Sequence, residues 1–318
     1  MEVLPVVYAV LTVDAVLAWA CVWFDPRFDS ISGMSRLSAQ REALLALIRS
    51  FGSCAVAYSG GVDSAVVAQA ARLALADRAV AITGVSASLA SGELEAAQQL
   101  AQQIGIRHEV LSTHEFEQDA YIRNHGDRCY HCKTELYAQM AQAAQRLQLA
   151  VLVNGANQDD VGDYRPGMQA AQQHHVRSPL LECGLTKADV RGLAAHWQLA
   201  VWDKPASPCL SSRVQYGVAV NPQRLAMVDR AELYLRELGL REVRVRIHDG
   251  DLARIEIPLA DLPRLANPSV REGLVAHLRA LGCQFVTLDL EGFRSGSLNR
   301  MLSAPPQLHE ISLSTRDA

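Results

Sequence analysis

The sequence has no excess of basic charge. Its 318 residues include 30 Lys and Arg against 34 Asp and Glu, which gives a net charge of −4. Proteins that bind nucleic acid draw much of their affinity from a basic surface, so this balance predicts a partner other than nucleic acid. The hydrophobic content of 49% is that of an ordinary globular protein, and the length suits two domains.

Cysteines are too few and too irregular for a disulfide scaffold. There are seven: Cys21, Cys54, Cys129, Cys132, Cys183, Cys209 and Cys283. Disulfide-stabilised domains are much denser in cysteine. The usage therefore predicts a reducing, cytoplasmic compartment, where a Cys-x-x-Cys pair indicates metal or redox chemistry.

The apolar run MEVLPVVYAVLTVDAVLAWACVWF at the start of the chain lacks basic residues, and its only charges are Glu2 and Asp14. A secretory signal needs a positive start, and a spanning helix would have to carry Asp14 and Pro5. We therefore predict no membrane partner. We expect residues 1–33 to be a non-native or loose extension before a true start at Met34; an interfacial anchor is the alternative.

After Met34, apolar runs alternate with amphipathic segments. The pattern predicts a helix over residues 37–50, then four strands separated by helices, in a first domain of residues 34–215. Such alternation is typical of an α/β fold with a parallel sheet and helices on both faces. Ligands then lie beyond the carboxyl ends of the strands, where the loops SGGVDS, VSASLASGE and NGANQDD occur.

The pattern changes near residue 216. Strict alternation in EVRVRIH and ARIEIP, with HDGD between them, predicts a hairpin within a small α+β domain of residues 216–302. We expect this domain to contact substrate or other subunits, and residues 303–318 to form a loose tail.

The segment Ser59-Gly60-Gly61-Val62-Asp63-Ser64 joins a predicted strand to a predicted helix. Glycines permit a tight turn and close approach by a ligand, and the amides of the turn and helix N-terminus form an anion site. The lysine of a Walker A loop is absent, which disfavours transfer of a γ-phosphate. We predict that the two serines donate to phosphate oxygens and that Asp63 holds Mg²⁺. A glycine-containing corner without function is the alternative.

This segment resembles the PP-loop of the N-type ATP pyrophosphatases. The resemblance implies cleavage of ATP between the α- and β-phosphates, formation of an adenylate, and displacement of AMP by a nucleophile. It also implies that Ser86 and Ser88, at the end of the second strand, lie where the adenine is seated. Asn154 and Gly155 follow the fourth strand and face the ligand edge; ligand contact and a structural role are both open.

Cys129 and Cys132 begin a predicted helix, and their i, i+3 spacing places both sulfurs on one face. Cys209 lies in the loop SPCLSSR. Three thiolates can hold a 4Fe–4S cluster with one iron open, or zinc with His125 or His131 as a fourth ligand. A third interpretation needs no metal and makes Cys209 the sulfur donor. Incidental cysteines remain the plain alternative.

The segments DRCYHCKTELY, NGANQDDVGDYRPG, WDKPASPCLSSR and VRVRIHDGDLARIEIP resemble the LarE family, from about residue 37 to 301. The resemblance implies an ATP-dependent sulfur transferase, hexameric in the family, that acts on pyridinium-3,5-biscarboxylic acid mononucleotide in nickel-pincer nucleotide assembly. Each carboxylate is adenylylated and becomes a thiocarboxylate. One kind of member sacrifices a single cysteine and is left with dehydroalanine. The other has three cysteines and is thought to carry sulfur on a 4Fe–4S cluster. Cys129, Cys132 and Cys209 match the second kind, with sacrifice of Cys209 as the alternative.

The resemblance also implies a site for the substrate phosphate. Arg244 and Arg246 share one face of a predicted strand, and paired guanidiniums suit a phosphate. A solvated strand face is the alternative. Ser212 and Arg213 are expected beside the same nucleotide.

Glu232 and Glu256 match acidic LarE positions that hold a metal or order the site. The plainer interpretations are an exposed helix charge for Glu232 and a strand-face ion pair for Glu256.

Three other functions share some of these features. A tRNA thiolase would need a basic domain or an RNA-binding module, and neither is evident. A PP-loop amidotransferase would handle ammonia and would not need clustered cysteines. A non-catalytic nucleotide-binding protein would not need the intact SGGVDS segment.

Overall fold

The computed structural model describes residues 26–161, 166–205, 207–294 and 297–298. The predicted N-terminal extension and C-terminal tail lie mostly or wholly outside these residues. The helix predicted over residues 37–50 begins earlier, at Pro26. The proposed start at Met34 therefore falls inside a helix, and the character of residues 1–33 stays a prediction.

The first domain alternates strands and helices. Its elements are α1 (Pro26–Ser50), β1 (Cys54–Ala57), α2 (Val62–Leu75), β2 (Ala79–Val85), α3 (Glu93–Ile104), β3 (Arg107–Ser112), α4 (Asp119–Ile122), α5 (Arg128–Leu147), β4 (Val151–Val153), α6 (Pro166–Gln173), α7 (Pro179–Glu182) and α8 (Lys187–His196). The four strands form a parallel sheet in the order β3-β2-β1-β4. This confirms the predicted α/β fold with a parallel sheet.

The central strand β1 is apolar because both of its faces are covered. Cys54 and Val56 have no exposed surface and pack with residues of α1, α2 and α8, whereas Ala55 faces a second cluster that includes Met140 of α5. Parallel strands buried on both faces are typically continuous apolar runs. The loops at their carboxyl ends therefore meet at one edge, as predicted.

The second domain consists of α9 (Pro222–Glu237), β5 (Arg244–His248), β6 (Leu252–Glu256), α10 (Leu262–Ala266), α11 (Pro268–Ala280) and β7 (Phe285–Leu288). Its sheet has the order β5-β6-β7, with an antiparallel β5–β6 pair and a parallel β6–β7 pair. Gly250, at φ +67°, closes the predicted hairpin turn. Helices packed on one small sheet confirm the α+β prediction.

The two domains share a continuous apolar contact. Tyr121 of α4 is buried among side chains of α9 and β5, and Phe116 and Cys132 pack against the same cluster. A backbone bridge from Val214 to Ile247 of β5 continues the contact. The loop that carries Cys209 therefore lies between the parallel sheet and the second domain. Within the described part of the chain, none of the helices has the length and apolarity needed to cross a bilayer.

Candidate functional site

The turn between β1 and α2 has the geometry of an anion site. Gly60 adopts φ +70°, and a Cβ added there would lie 3.0 Å from the Cβ of Ala97 on α3. Only glycine therefore fits between the turn and that helix. Gly61 is the N-cap of α2, so the free amides of the helix N-terminus point beyond the end of the sheet.

The two serines of this turn face each other. The hydroxyls of Ser59 and Ser64 are 3.2 Å apart, and Ser64 Oγ also donates to the carbonyl of Gly61 at 3.0 Å. The Gly61 amide donates to Ser59 Oγ at 3.3 Å. These weak mutual bonds hold both hydroxyls at the helix N-terminus. Each hydroxyl can exchange its present hydrogen bond for one to a phosphate oxygen.

The Asp63 carboxylate has two partners from later parts of the chain. Asn157 Nδ2 donates to its Oδ1 at 3.0 Å, and Lys187 Nζ forms an ion pair with its Oδ2. Lys187 was missed from the sequence. Its only local signal is the capping box of Thr186 and Asp189, which begins α8 and places Lys187 in the first turn. The carboxylate is thus preorganised, and Mg²⁺ at Asp63 stays a prediction.

The loop after β4 packs directly on this turn. A Cβ at Gly155 would lie 2.9 Å from the Ser64 amide nitrogen and 3.1 Å from the Asp63 Cβ. Asn154 Oδ1 accepts hydrogen bonds from the Ala156 amide at 3.0 Å and from a serine hydroxyl at 2.9 Å. Asn154 therefore shapes its own loop, and Gly155 permits the close approach.

Ser86 and Ser88 converge on a buried acid that the sequence analysis did not identify. Glu115 is 2% exposed, and its Oε1 accepts hydrogen bonds from both serine hydroxyls. Its Oε2 is buried and has no hydrogen-bond partner among the described residues. The hydroxyls at the end of β2 are thus fixed by Glu115, which leaves the backbone there for contact with a base.

The three cysteines share one electrostatic neighbourhood. Cys129 and Cys209 are exposed, and Cys132 is half-buried. Burial raises the pKa of Cys132 to about 12; Lys133 opposes this shift, and Cys209, Glu115 and Cys129 add to it. Among the described residues, however, no three His, Cys, Asp or Glu side chains converge closely enough to hold a metal ion. The thiols have suitable chemistry for iron or zinc, but this conformation does not bring them together as a ligand set.

The loop of Cys209 is attached on both sides. The Leu210 amide donates to the Ser88 carbonyl at 2.9 Å, which ties the loop to the end of β2. Arg213 donates to the Cys209 carbonyl at 3.0 Å, and Ser212 Oγ donates to it at 2.7 Å. Arg213 therefore holds the main chain of the cysteine loop.

A cavity of about 510 Å³ opens beside this loop. Pro208 and Ser212, which flank Cys209, line one side, and Arg244 and Arg246 line another. Its other charged residues are Lys204, Arg236, Arg241, Arg294, Glu93 and Glu242. The excess of cations makes this a site for an anionic ligand.

The predicted pair of arginines is present, and each member has a different environment. Arg246 is 5% exposed and donates to Glu256 Oε2 at 3.0 Å and to the Ser212 carbonyl at 3.0 Å. Burial, followed by the cations of Arg213 and Arg246, lowers the pKa of Arg244 to about 10. An anion bound at Arg244 would relieve that repulsion. Because both arginines are buried or partly buried, this strand face is not solvated, and the alternative interpretation is wrong.

The expectations for Glu232 and Glu256 have different outcomes. Glu232 is 1% exposed, so the exposed helix charge is wrong; it pairs with Arg213 at 3.0 Å and Arg236 at 2.9 Å. The strand-face ion pair of Glu256 is confirmed, with Arg246 at 3.0 Å and Arg254 at 3.0 Å. Two guanidiniums pair with each carboxylate, so these acids order the arginines, and a metal ion at either position stays a prediction.

A parallel sheet whose first strand enters an SGGVDS turn, without the Walker A lysine, at the N-terminus of a helix is typical of PP-loop nucleotide-binding enzymes. The Asparagine synthase family model matches residues 39–152, which contain this turn. An uncharacterized protein of Synechocystis sp. (slr1717) is 47% identical over 248 residues, which are 78% of this chain and 92% of that protein. The pyridinium-3,5-bisthiocarboxylic acid mononucleotide synthase of Lactiplantibacillus plantarum is 36% identical over 272 residues, 85% of this chain and 97% of that enzyme. An uncharacterized protein of Methanocaldococcus jannaschii (MJ0830) is 26% identical over 240 residues, 76% of this chain and 90% of that protein.

The chain belongs to the LarE family. It is an ATP-dependent sulfurtransferase, and the resemblance stated from its motifs is confirmed.

Proposed function

We propose that the protein converts the carboxylates of pyridinium-3,5-biscarboxylic acid mononucleotide into thiocarboxylates, with ATP cleaved to AMP and pyrophosphate. The relative in Lactiplantibacillus plantarum is named for the bisthiocarboxylic acid product. The observation that carries the proposal is the cationic cavity of about 510 Å³ between the Cys209 loop and the arginines of β5. A mononucleotide with two carboxylates is a small anion of the kind that such a cavity attracts.

In the first step a substrate carboxylate oxygen attacks the α-phosphorus of ATP, and pyrophosphate leaves with the bonding electrons. Ser59, Ser64 and the N-terminal amides of α2 would stabilise the charge on the leaving pyrophosphate. Mg²⁺, which we propose to bind with Asp63, would add to that stabilisation. The acyl adenylate is then attacked at carbon by a sulfur nucleophile, and AMP leaves.

The phosphate of the substrate would bind at Arg244, with Ser212 and Arg246 beside it. Arg246 is already paired with Glu256, so it would contribute mainly by fixing the cavity wall. Arg244 lines the cavity, and burial, followed by the cations of Arg213 and Arg246, lowers its pKa. A bound phosphate would compensate the buried charge and offset that repulsion, which supports Arg244 as the main anion ligand.

For the source of sulfur we propose the three cysteines, with Cys129, Cys132 and Cys209 holding a 4Fe–4S cluster. Such a cluster would supply a sulfide at its open iron. The thiol donors fit this chemistry, whereas their present spacing does not, so the Cys209 loop would have to close onto α5. In the alternative, Cys209 attacks the adenylate; loss of its Cα proton then breaks the Cβ–S bond and leaves dehydroalanine.

The free thiols of the described cysteines are consistent with a reducing cytoplasm, and we propose a homo-oligomer, a hexamer by family resemblance.

The decisive experiment measures pyrophosphate release with the pyridinium dicarboxylate mononucleotide and, separately, with tRNA. Release with the mononucleotide alone, together with a thiocarboxylate product by mass spectrometry, supports the proposal. Release with tRNA alone would make the protein a tRNA thiolase. Anaerobic purification with iron and sulfide analysis then decides the sulfur source: a protein mass reduced by H₂S after turnover indicates sacrifice of Cys209, and an unchanged mass with bound iron indicates the cluster.

A further inference from the structure

Arg128 connects the two segments that carry the cysteines. It is the first residue of α5, directly before Cys129, and it is 4% exposed. Its Nη1 donates to the main-chain oxygen of Ser211 at 2.7 Å and to Asn124 Oδ1. Ser211 lies two residues after Cys209, so one buried guanidinium spans the gap between the start of α5 and the Cys209 loop.

Burying a guanidinium is costly unless its donors are satisfied. An arginine in this position therefore indicates that the contact it makes is needed. The Arg128 guanidinium therefore fixes the Cys209 loop to the start of α5 through the Ser211 carbonyl.

A second contact from the same short segment supports the same loop. The hydroxyl of Tyr121, which is 1% exposed, is 2.7 Å from Ser211 Oγ. Asn124, at φ +54°, donates from its Nδ2 to the carbonyls of Gln215 at 2.8 Å and Val218 at 2.9 Å. Residues 121–128 therefore form a clamp on residues 211–218, and Arg128 is the part of the clamp that directly precedes Cys129.

We propose that Arg128 is a positioning residue that sets the distance between Cys209 and the thiols of α5. It would act on the sulfur-transfer half of the reaction, and the PP-loop would be left able to form the adenylate. This inference rests on the proposed function for its catalytic consequence, although the distance between the thiols can be measured without any substrate.

The test compares Arg128→Met with Arg128→Lys. Methionine keeps an unbranched apolar stem and removes the guanidinium that makes both hydrogen bonds, whereas a lysine ammonium can still donate to both oxygens. In the methionine variant we expect the ratio of thiocarboxylate to pyrophosphate to fall by about tenfold or more, since small displacements of reacting groups have effects of that size. The lysine variant should recover a large part of that ratio.

A substrate-free measurement accompanies the kinetics. A short bifunctional maleimide, followed by peptide mass spectrometry, reports the yield of cross-links from Cys209 to Cys129 or Cys132. We expect this yield to fall several-fold in Arg128→Met while single alkylation of Cys209 is maintained. The matched control is Arg146→Gln, which removes an exposed arginine paired with Glu109 in the last turn of the same helix and should change neither readout.

Tyr121→Phe removes one hydroxyl from the clamp and should give a smaller change in the same direction. If Arg128→Met does not fold, Tyr121→Phe is measured in its place. The inference is overturned if the Arg128 variants keep the wild-type cross-link yield, or if pyrophosphate and thiocarboxylate fall in parallel. Absence of pyrophosphate release from the wild-type protein would instead overturn the proposed function, and the cross-link yield would still test the position of Arg128.

Discussion

The turn between β1 and α2, called the ATP edge below, and the cationic cavity beside the Cys209 loop are built in opposite ways. At the ATP edge, the six consecutive residues Ser59–Ser64 form a turn that holds two hydroxyls 3.2 Å apart at a helix N-terminus. In the cavity, Arg244 and Arg246 come from β5, while the acids that order the arginines come from α9 and β6 as Glu232 and Glu256. One site is a local backbone motif, and the other is a product of tertiary pairing.

This difference determines what a mutation can damage. The turn buries no ion pair, and its partner Lys187 is about one-third exposed, so changes there should alter catalysis more than stability. Glu232 and Glu256 are at most 1% exposed. Breaking a buried pair leaves a charge without compensation, so changes in the cavity wall should alter stability and binding together.

The largest effect is expected at the ATP edge from Asp63→Asn. The amide keeps the shape and the contact with Asn157 but loses the charge that pairs with Lys187 and would hold Mg²⁺. We expect substrate-dependent pyrophosphate release to fall by about 100-fold or more, with a change in unfolding free energy of about 1 kcal/mol or less. The control is Asp77→Asn just beyond α2, where the carboxylate is 98% exposed. Equal losses in both variants would contradict a role for Asp63 in ATP cleavage.

In the cavity wall, Glu232→Gln should mainly reduce stability. Arg213 and Arg236 would lose their common buried anion, and the amide of Val245 would lose a charged acceptor at 3.2 Å. We expect the unfolding free energy in urea to fall by about 3 kcal/mol. Glu237→Gln, at an exposed position of the same helix, should have little effect. The contrast between the two regions fails if Glu232→Gln reduces activity without reducing stability.

A smaller effect on the ATP edge is expected from Gly155→Ala. The added Cβ would lie 2.9 Å from the Ser64 amide nitrogen and 3.0 Å from the carbonyl carbon of Asp63, so the turn must shift. We expect pyrophosphate release to fall by about tenfold, because displaced amides no longer face the leaving group. Gly192→Ala in α8 is the control: its Cβ meets Leu37 at an ordinary 3.4 Å, and a helical alanine should stabilise slightly. Normal pyrophosphate release from Gly155→Ala would argue against close packing of the β4 loop on the turn.

The same contrast explains what could be predicted from the sequence. The glycine turn and the HDGD hairpin each depend on residues within a few positions of each other, and both were predicted. Local chemistry fixes these features, so short patterns are enough to find them.

Features that depend on distant partners were missed or misassigned. Lys187 reaches Asp63 across 124 positions, and Arg128 reaches Ser211 across 83. The burial of Glu232 depends on Arg213, which arrives from another part of the chain. A charge on an amphipathic helix looks exposed until its partner is known, which is why the pattern of α9 favoured the wrong environment for Glu232.

The smallest predicted effect compares one histidine from each sheet. Burial lowers the pKa of His108 on β3 below 6.5, and burial lowers that of His248 on β5, with Arg254 adding to the shift and Glu256 opposing it. The unfolded chain takes up these protons near pH 6.5 and the native state only at lower pH, so the unfolding free energy falls as pH drops below 6.5. Salt screens the arginine charge but not burial. In an NMR titration, high salt should therefore raise the pKa of His248 more than that of His108, and equal responses would show that the arginine network does not reach His248.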